Sequence, residues 1–323
     1  MMHARLQPTC GSFVSKNESV RVLQPATSSA ATTLEMATVL SIGAVAIFIG
    51  VMGLLAAALI RRRKQPVNAA LWVAGGGIAF PVIVLSALLA YSTARGLQLQ
   101  PPSAKGVVIE VSGVQWWWEV RYRDSVTGTE IRSANEVRVP VGRAVTLGLT
   151  SADVIHSLWV PALGGKVDMV PGRVNHLRVE VDAPGVYRGV CAEFCGDQHA
   201  KMALHVVAVA PEEFDRWLAA QAAPAVASGG TAAANGQRLF TELRCNTCHS
   251  VRGIADGPRN APDLTHVASR LYIGAGELPV QPDSFGRWVA DIQHIKPGAR
   301  MPAYGHLDQE SLTALAAFLD GLK

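Results

Sequence analysis

Charge is scarce in this sequence. Only 17% of its 323 residues are Asp, Glu, Lys or Arg, against about 25% in an ordinary soluble protein, and the mean hydropathy is +0.22. A chain this apolar is a poor candidate for disorder. One-signed clusters are scarce too. Residues 1–103 carry eight Lys/Arg against two Asp/Glu, 104–210 eleven against eleven, and 236–323 nine against nine. The net charge of +4 belongs to the N-terminal third, and no folded segment offers the polybasic face that neutralises phosphates, which excludes a nucleic-acid partner. The first 35 residues lack the apolar stretch of a secretory signal. Cys10 follows Gln7-Pro8-Thr9, a poor match to the small residues that precede a lipid-anchored cysteine, so it reads as a free thiol on a tail. The length suits about two domains of ordinary size.

Two apolar runs account for the composition. Val39 to Ile60 is 22 residues without a charge and Ala69 to Tyr91 is 23. At ~1.5 Å per residue each spans about 33 Å, enough for a hydrocarbon core of about 30 Å. Arg61-Arg62-Arg63-Lys64 lies between them. Positive loops stay in the cytoplasm, so both outer flanks face outward. This predicts a transmembrane hairpin over 38–92, an extracytoplasmic tail over 1–37, and everything after Tyr91 outside. Gly75-Gly76-Gly77 and Pro81 in the second run suit close packing against further membrane helices and imply a partner subunit.

From 104 to 210 the pattern changes to short β-rich segments. Val107–Val111, Trp116–Tyr122, Val137–Val141, Val145–Leu149, Val174–Val181 and Leu204–Val209 are bounded by Gly, Pro, Asp or Asn, which reads as an antiparallel sandwich or barrel. This domain ends in Cys191-Ala-Glu193-Phe-Cys195-Gly-Asp-Gln-His199-Ala-Lys-Met202, with His156 upstream. A disulfide would leave the histidine and methionine unexplained, and zinc seldom takes a thioether. Two thiols, two imidazoles and a thioether suit copper. One blue-copper ion uses a single cysteine, which leaves Cys191 surplus. Two coppers bridged by both thiolates use every donor: each metal takes one imidazole, and Met202 and the Glu193 carbonyl fill the other positions. Such a pair relays electrons and leaves no position for substrate.

Pro211–Leu218 reads as a short helix. Ala219–Asn235, rich in Ala, Gly, Ser and Thr, reads as a flexible linker with an end-to-end distance of about 20–25 Å. It would hold the C-terminal part of the chain at roughly millimolar effective concentration to the copper domain. Residues 236–323 then form a small helical module opening on Cys245-Asn-Thr-Cys248-His249, the spacing for covalent haem with His249 on the iron. Met301 is the one methionine after these cysteines and is the favoured second axial ligand, with His266, His294 and His306 as competitors. His/Met ligation suits an electron-carrying cytochrome c. Leu307–Leu322 has the apolar spacing of a closing helix.

Taken together, residues 18–210 resemble subunit II of haem–copper cytochrome c oxidases, whose binuclear copper centre is CuA. Gly113-Val-Gln115-Trp116-Trp117-Trp118 is similar to that family's Gly-x-Gln-Trp-aromatic-Trp segment, and Lys166-Val-Asp168-Met-Val-Pro171-Gly172-Arg173 to its Lys-x-Asp-x-x-Pro-Gly-Arg segment. Residues 236–323, with Pro262-Asp263-Leu264, resemble class I cytochromes c. The order of parts resembles the caa-type oxidases, in which the donor cytochrome is fused to subunit II. The resemblance implies a cupredoxin-like Greek-key domain, an all-α cytochrome c domain, and electrons reaching the copper site at Trp116. It implies magnesium near Glu193 and Asp168 at the subunit interface, and membrane partners in subunit I, with haem a and the haem–copper oxygen site, and subunit III. The whole would be a proton-translocating oxidase of the bacterial plasma membrane, taking electrons from cytochrome c or another donor, with no catalytic residue on this chain. One departure stands out: the carboxylate that many members place three residues before the tryptophan opening the second span is here Ala69, before Trp72. Two other readings stay open, a copper subunit serving a nitric oxide reductase and a membrane-anchored shuttle with no catalytic partner.

Overall fold

The structure is a computed structural model describing residues 22–60, 68–99, 107–123, 128, 130–226, 229–258 and 260–323. Cys10 and the basic loop Arg61–Lys64 lie outside the described residues.

One compact unit, residues 27–103, holds the two apolar helices. Helix α1 covers Ser28–Ile60 and α2 covers Ala69–Gly96, both long and apolar enough to cross a membrane. The first begins eleven residues before the uncharged run, because Ser28 to Thr38 is also free of helix breakers. Asn68 caps α2 by accepting from the Leu71 N–H at 3.2 Å. Over Val73–Ala79 the second helix widens into π-helical turns that contain the three glycines. Ser29 donates to the Leu99 carbonyl at 3.3 Å and Arg95 pairs with Glu35, so the start of α1 meets the end of α2.

The second unit contains both other domains. The first is a sandwich of β1 (Val107–Val114), β2 (Trp117–Arg123), β3 (Glu130–Ala134), β4 (Glu136–Pro140), β5 (Val145–Ser151), β6 (His156–Trp159), β7 (Val167–Met169), β8 (Asn175–Val179), β9 (Gly185–Cys191) and β10 (Ala203–Val209). One sheet runs β3-β2-β1-β5-β8 and the other β4-β10-β9-β6-β7. The β1/β5 and β4/β10 pairs are parallel and the others antiparallel. Alternation does the sorting. Ile109 and Val111 on β1 point inward while Val108 and Glu110 point out. They meet Val137, Val139, Leu158, Leu204 and Val206 of the facing sheet, all at most 1% exposed. Four of the ten strands (β3, β6, β7, β9) lie outside the β-rich segments of the sequence.

Helix α3 (Pro211–Ala222) comes next, and α4 (Thr231–Glu242) begins inside the segment expected to be a flexible linker. Only residues 223–230 separate the two helices. The Ala225 N–H bonds the Arg252 carbonyl at 2.9 Å, and Arg252 in turn donates to the carbonyls of Gln221 and Ala222. The Ala-rich composition of 219–235 is compatible with helix as well as with coil, and here helix prevails at both ends.

The cytochrome-like domain is built on α4, α5 (Ser284–Ile295) and α6 (Gln309–Asp320), the last capped by Asp308 accepting from the Ser311 N–H at 2.7 Å. Gly236 lets α4 and α6 touch: a Cβ there would lie 2.0 Å from the Ala314 carbonyl oxygen. Phe240 and Phe318 pack at a tilt behind that contact, ring centres 5.5 Å apart. Burying a ring of this size is worth about 1.5–3 kcal/mol.

This domain sits directly on the sandwich. The Ala203 N–H bonds the Ala275 carbonyl at 3.0 Å, His205 stacks on Tyr272 with ring centres 4.3 Å apart, and Glu136 accepts from the Leu271 N–H at 2.8 Å. Arg138, paired to Glu136, reaches the Ser269 carbonyl at 3.1 Å. Gly276, at φ +89°, permits the close approach, since a Cβ would come within 3.0 Å of Ala203.

Candidate functional site

Strand register assembles the first site. Leu158 on β6 pairs with Cys191 on β9, and Val190 pairs with Ala203 on β10. His156 at the start of β6, Cys191 at the end of β9 and Met202 just before β10 therefore share one end of three adjacent strands. The loop between β9 and β10 brings in Cys195 and His199. The sulfur of Cys191 lies 3.7 Å from that of Cys195, 3.8 Å from His156 Nδ1 and 3.2 Å from the Glu193 carbonyl oxygen. That of Cys195 lies 3.7 Å from His199 Nδ1 and 3.9 Å from Met202 Sδ. A disulfide needs about 2.05 Å, so the cysteines are free. All six groups assigned to copper converge, and His156, Cys191, Cys195 and Met202 are at most 5% exposed. This soft donor set with one backbone carbonyl fits copper.

Charge within the cluster is uneven. Burial opposes ionisation of Cys191, but hydrogen bonding to His156 and to backbone around it prevails and pulls the thiol down. Burial and the neighbouring Cys191 charge push Cys195 up. A cation between the two sulfurs removes that conflict.

Residues around the cluster support it, and one of them, Asp153, carries no signal in the sequence. Asp153 accepts from the Gln115 N–H at 2.8 Å and meets His156 Nε2 at 2.9 Å, which leaves Nδ1 facing the sulfur. Burial works against the Asp153 carboxylate, yet these bonds hold it below the usual range. Gly113 makes room for the imidazole, since a Cβ would lie 2.6 Å from His156 Cδ2. Gln115 donates its side-chain amide to the Cys195 carbonyl at 2.8 Å. Trp116 donates its indole N–H to the same oxygen at 2.9 Å. No sequence spacing announces pairs that lie 38 and 80 residues apart.

Glu193 and Asp168 meet a different cation. Lys166 Nζ lies 3.3 Å from the Glu193 carboxylate and 3.6 Å from that of Asp168. An ammonium holds the place between them, so on this chain alone the pair does not fit a magnesium ion.

The second site is a cavity walled by Cys245, His249 and Met301 together with Phe240, Phe285, Trp288, Leu315 and Leu319. Its opposite wall comes from the sandwich: Val114, Gln115, Trp116 and Trp117. His249 Nδ1 lies 2.7 Å from the Pro262 carbonyl, which fixes the ring and leaves Nε2 for a metal. Burial holds this imidazole below its ordinary pKa, in the neutral form a ligand needs. Cys248 is exposed and is not among the residues that line the cavity. The three rival histidines do not line the cavity. Both ring nitrogens of His266 face backbone carbonyls, of Lys323 and Ala223, while His294 and His306 are exposed. The apolar lining and the placed His249, Cys245 and Met301 fit a covalent haem.

Comparison with known proteins respects this division. Residues 129–209 match the family described as cytochrome C oxidase subunit II, periplasmic domain, and residues 233–323 match cytochrome c. Cytochrome c oxidase subunit 2 of Alkalihalophilus pseudofirmus is 38% identical over 75% of this chain and 70% of its own length. That of Bacillus sp. PS3 is 34% identical over 67% of this chain and 62% of its own. Among solved structures, the periplasmic domain of subunit II of cytochrome oxidase (CoxB) of Bradyrhizobium japonicum is 32% identical, with a TM-score of 0.35 over 38% of this chain and 96% of that one. The match to a relative over most of both chains shows that the chain belongs to the cytochrome c oxidase subunit 2 family, as a member carrying a C-terminal cytochrome c domain.

Proposed function

We propose that this chain is the electron-transfer subunit of a terminal respiratory oxidase. Electrons from cytochrome c or another donor would come to the C-terminal domain and pass by way of the copper domain to an oxygen-reducing partner, subunit I, with subunit III beside it. One observation carries the reading: Trp116 both walls the haem-type cavity and donates to the carbonyl of Cys195 in the copper-type cluster.

Cys191 and Cys195 would bridge two coppers, with His156 and His199 taking one each and Met202 and the Glu193 carbonyl completing the set. Cys245 and Cys248 would bind haem c covalently, with His249 and Met301 on its iron. When bound, these groups supply the one-electron chemistry that no side chain here can. The protein's own contribution is positional. Asp153 and Gly113 set the His156 ring, burial keeps water from the thiolates, and the indole N–H of Trp116 fixes the ring between cavity and cluster. Little needs to move when charge passes. Glu193 and Asp168 are assigned no magnesium step, because Lys166 already pairs with both.

The two long apolar helices and the match of residues 129–209 to a family described as a periplasmic domain support a membrane-anchored subunit. We place both helices across a bacterial plasma membrane, with the tail and both folded domains outside. Purification with its membrane partner tests the function. Haem a with oxygen uptake supports it, haem b with nitric oxide reduction replaces it with the reductase reading, and haem c alone leaves an electron shuttle.

A further inference from the structure

Lys296 is an unusual lysine. It follows directly on α5, at the wall of the haem-type cavity, and is 6% exposed. Its Nζ donates across the domain interface to the Lys201 carbonyl, one residue before Met202, and at 3.3 Å to the Gly274 carbonyl of its own domain. Lys201 returns the contact, donating to the Ile295 carbonyl at 2.7 Å and pairing with Glu277 at 3.1 Å. The two lysines thus exchange backbone contacts across the interface.

That arrangement leaves Lys296 electrostatically incomplete. An ammonium has three N–H donors, and two are used, both on neutral oxygens. Among the described residues no carboxylate lies within ion-pair distance of it, and Glu277 is already engaged by Lys201. A buried charge without a counter-ion is costly, and burial lowers its pKa to about 8. A haem in the cavity would bring two propionate carboxylates.

We propose that Lys296 is a positioning residue that takes a haem propionate on its cavity side while bound to the copper loop through the Lys201 carbonyl. This rests on the haem reading and adds a function that the reading does not require: one side chain would compensate haem charge and set the distance between the two domains. The interface would then be tightest with haem in place.

The test is the haem midpoint potential of the full haem- and copper-loaded chain. Lys296→Gln is neutral yet still donates to carbonyls, so it removes charge while keeping the docking bond. Its midpoint is expected to fall, because a cation beside the haem favours the reduced form, and Lys296→Arg should restore it. Lys296→Met serves the same purpose should the glutamine variant load no haem. A loaded neutral variant with the parent midpoint overturns the inference. A parent chain that takes up no haem overturns the functional reading, and this inference with it.

Discussion

The two candidate sites are prepared to different degrees. The copper-type cluster is assembled by hydrogen-bonded strands: six donors stand within about 4 Å of a neighbour, at the end of the buried core of the sandwich. The haem-type site is a cavity walled by core side chains, with Phe240, Phe285 and Leu315 among them. Copper should therefore arrive at a formed site, whereas haem should complete a domain.

The largest expected effect comes from denying the haem. A Cys245→Ala/Cys248→Ala chain should lose most of the stability of residues 236–323, about 5 kcal/mol or more for a small domain, while the sandwich stays folded and binds copper. Protease digestion with mass analysis reads this, and equal resistance of both domains would erase the contrast. Next, Cys195→Ser should abolish the copper pair without unfolding either domain, read as copper per chain beside an unchanged haem spectrum.

Acid should separate the domains. His205 is buried against Tyr272, and burial, with Arg188 nearby, lowers its pKa to about 4. Above pH 6.5 the imidazole is neutral whether the interface is closed or open. As pH falls below 6.5 an opened interface gains a proton that the closed one refuses. Closure should then weaken by up to about 3 kcal/mol on reaching pH 4. Small-angle scattering should show the separation, and His205→Phe should suppress it. The smallest effect is expected from Asp153→Asn, which keeps a hydrogen bond to His156 but loses the charge that orients it. Copper affinity should fall about 10–100-fold, measured by competition with a chelator.

Legibility in the sequence splits along the same divide. The apolar spans, the haem cysteines and the copper loop can be read because each signal is local. The roles of Asp153 and Gln115 cannot, since they arise where β1, β5 and the copper loop converge in space. The flexible-linker reading misses the start of α4 because Ala-rich composition does not distinguish helix from coil. The domain interface is invisible for a further reason: Arg138, Glu136, Lys201 and His205 each look ordinary until the fold sets them opposite Ser269, Leu271, Ile295 and Tyr272.

The central claim is that Trp116 joins two redox sites inside one chain. Flash reduction of the haem in the purified, fully loaded chain tests it most directly. The account predicts that haem reoxidation and copper reduction proceed together, at a rate independent of protein concentration and slowed in Trp116→Ala. A haem that stays reduced, or that reoxidises in proportion to concentration, would contradict it.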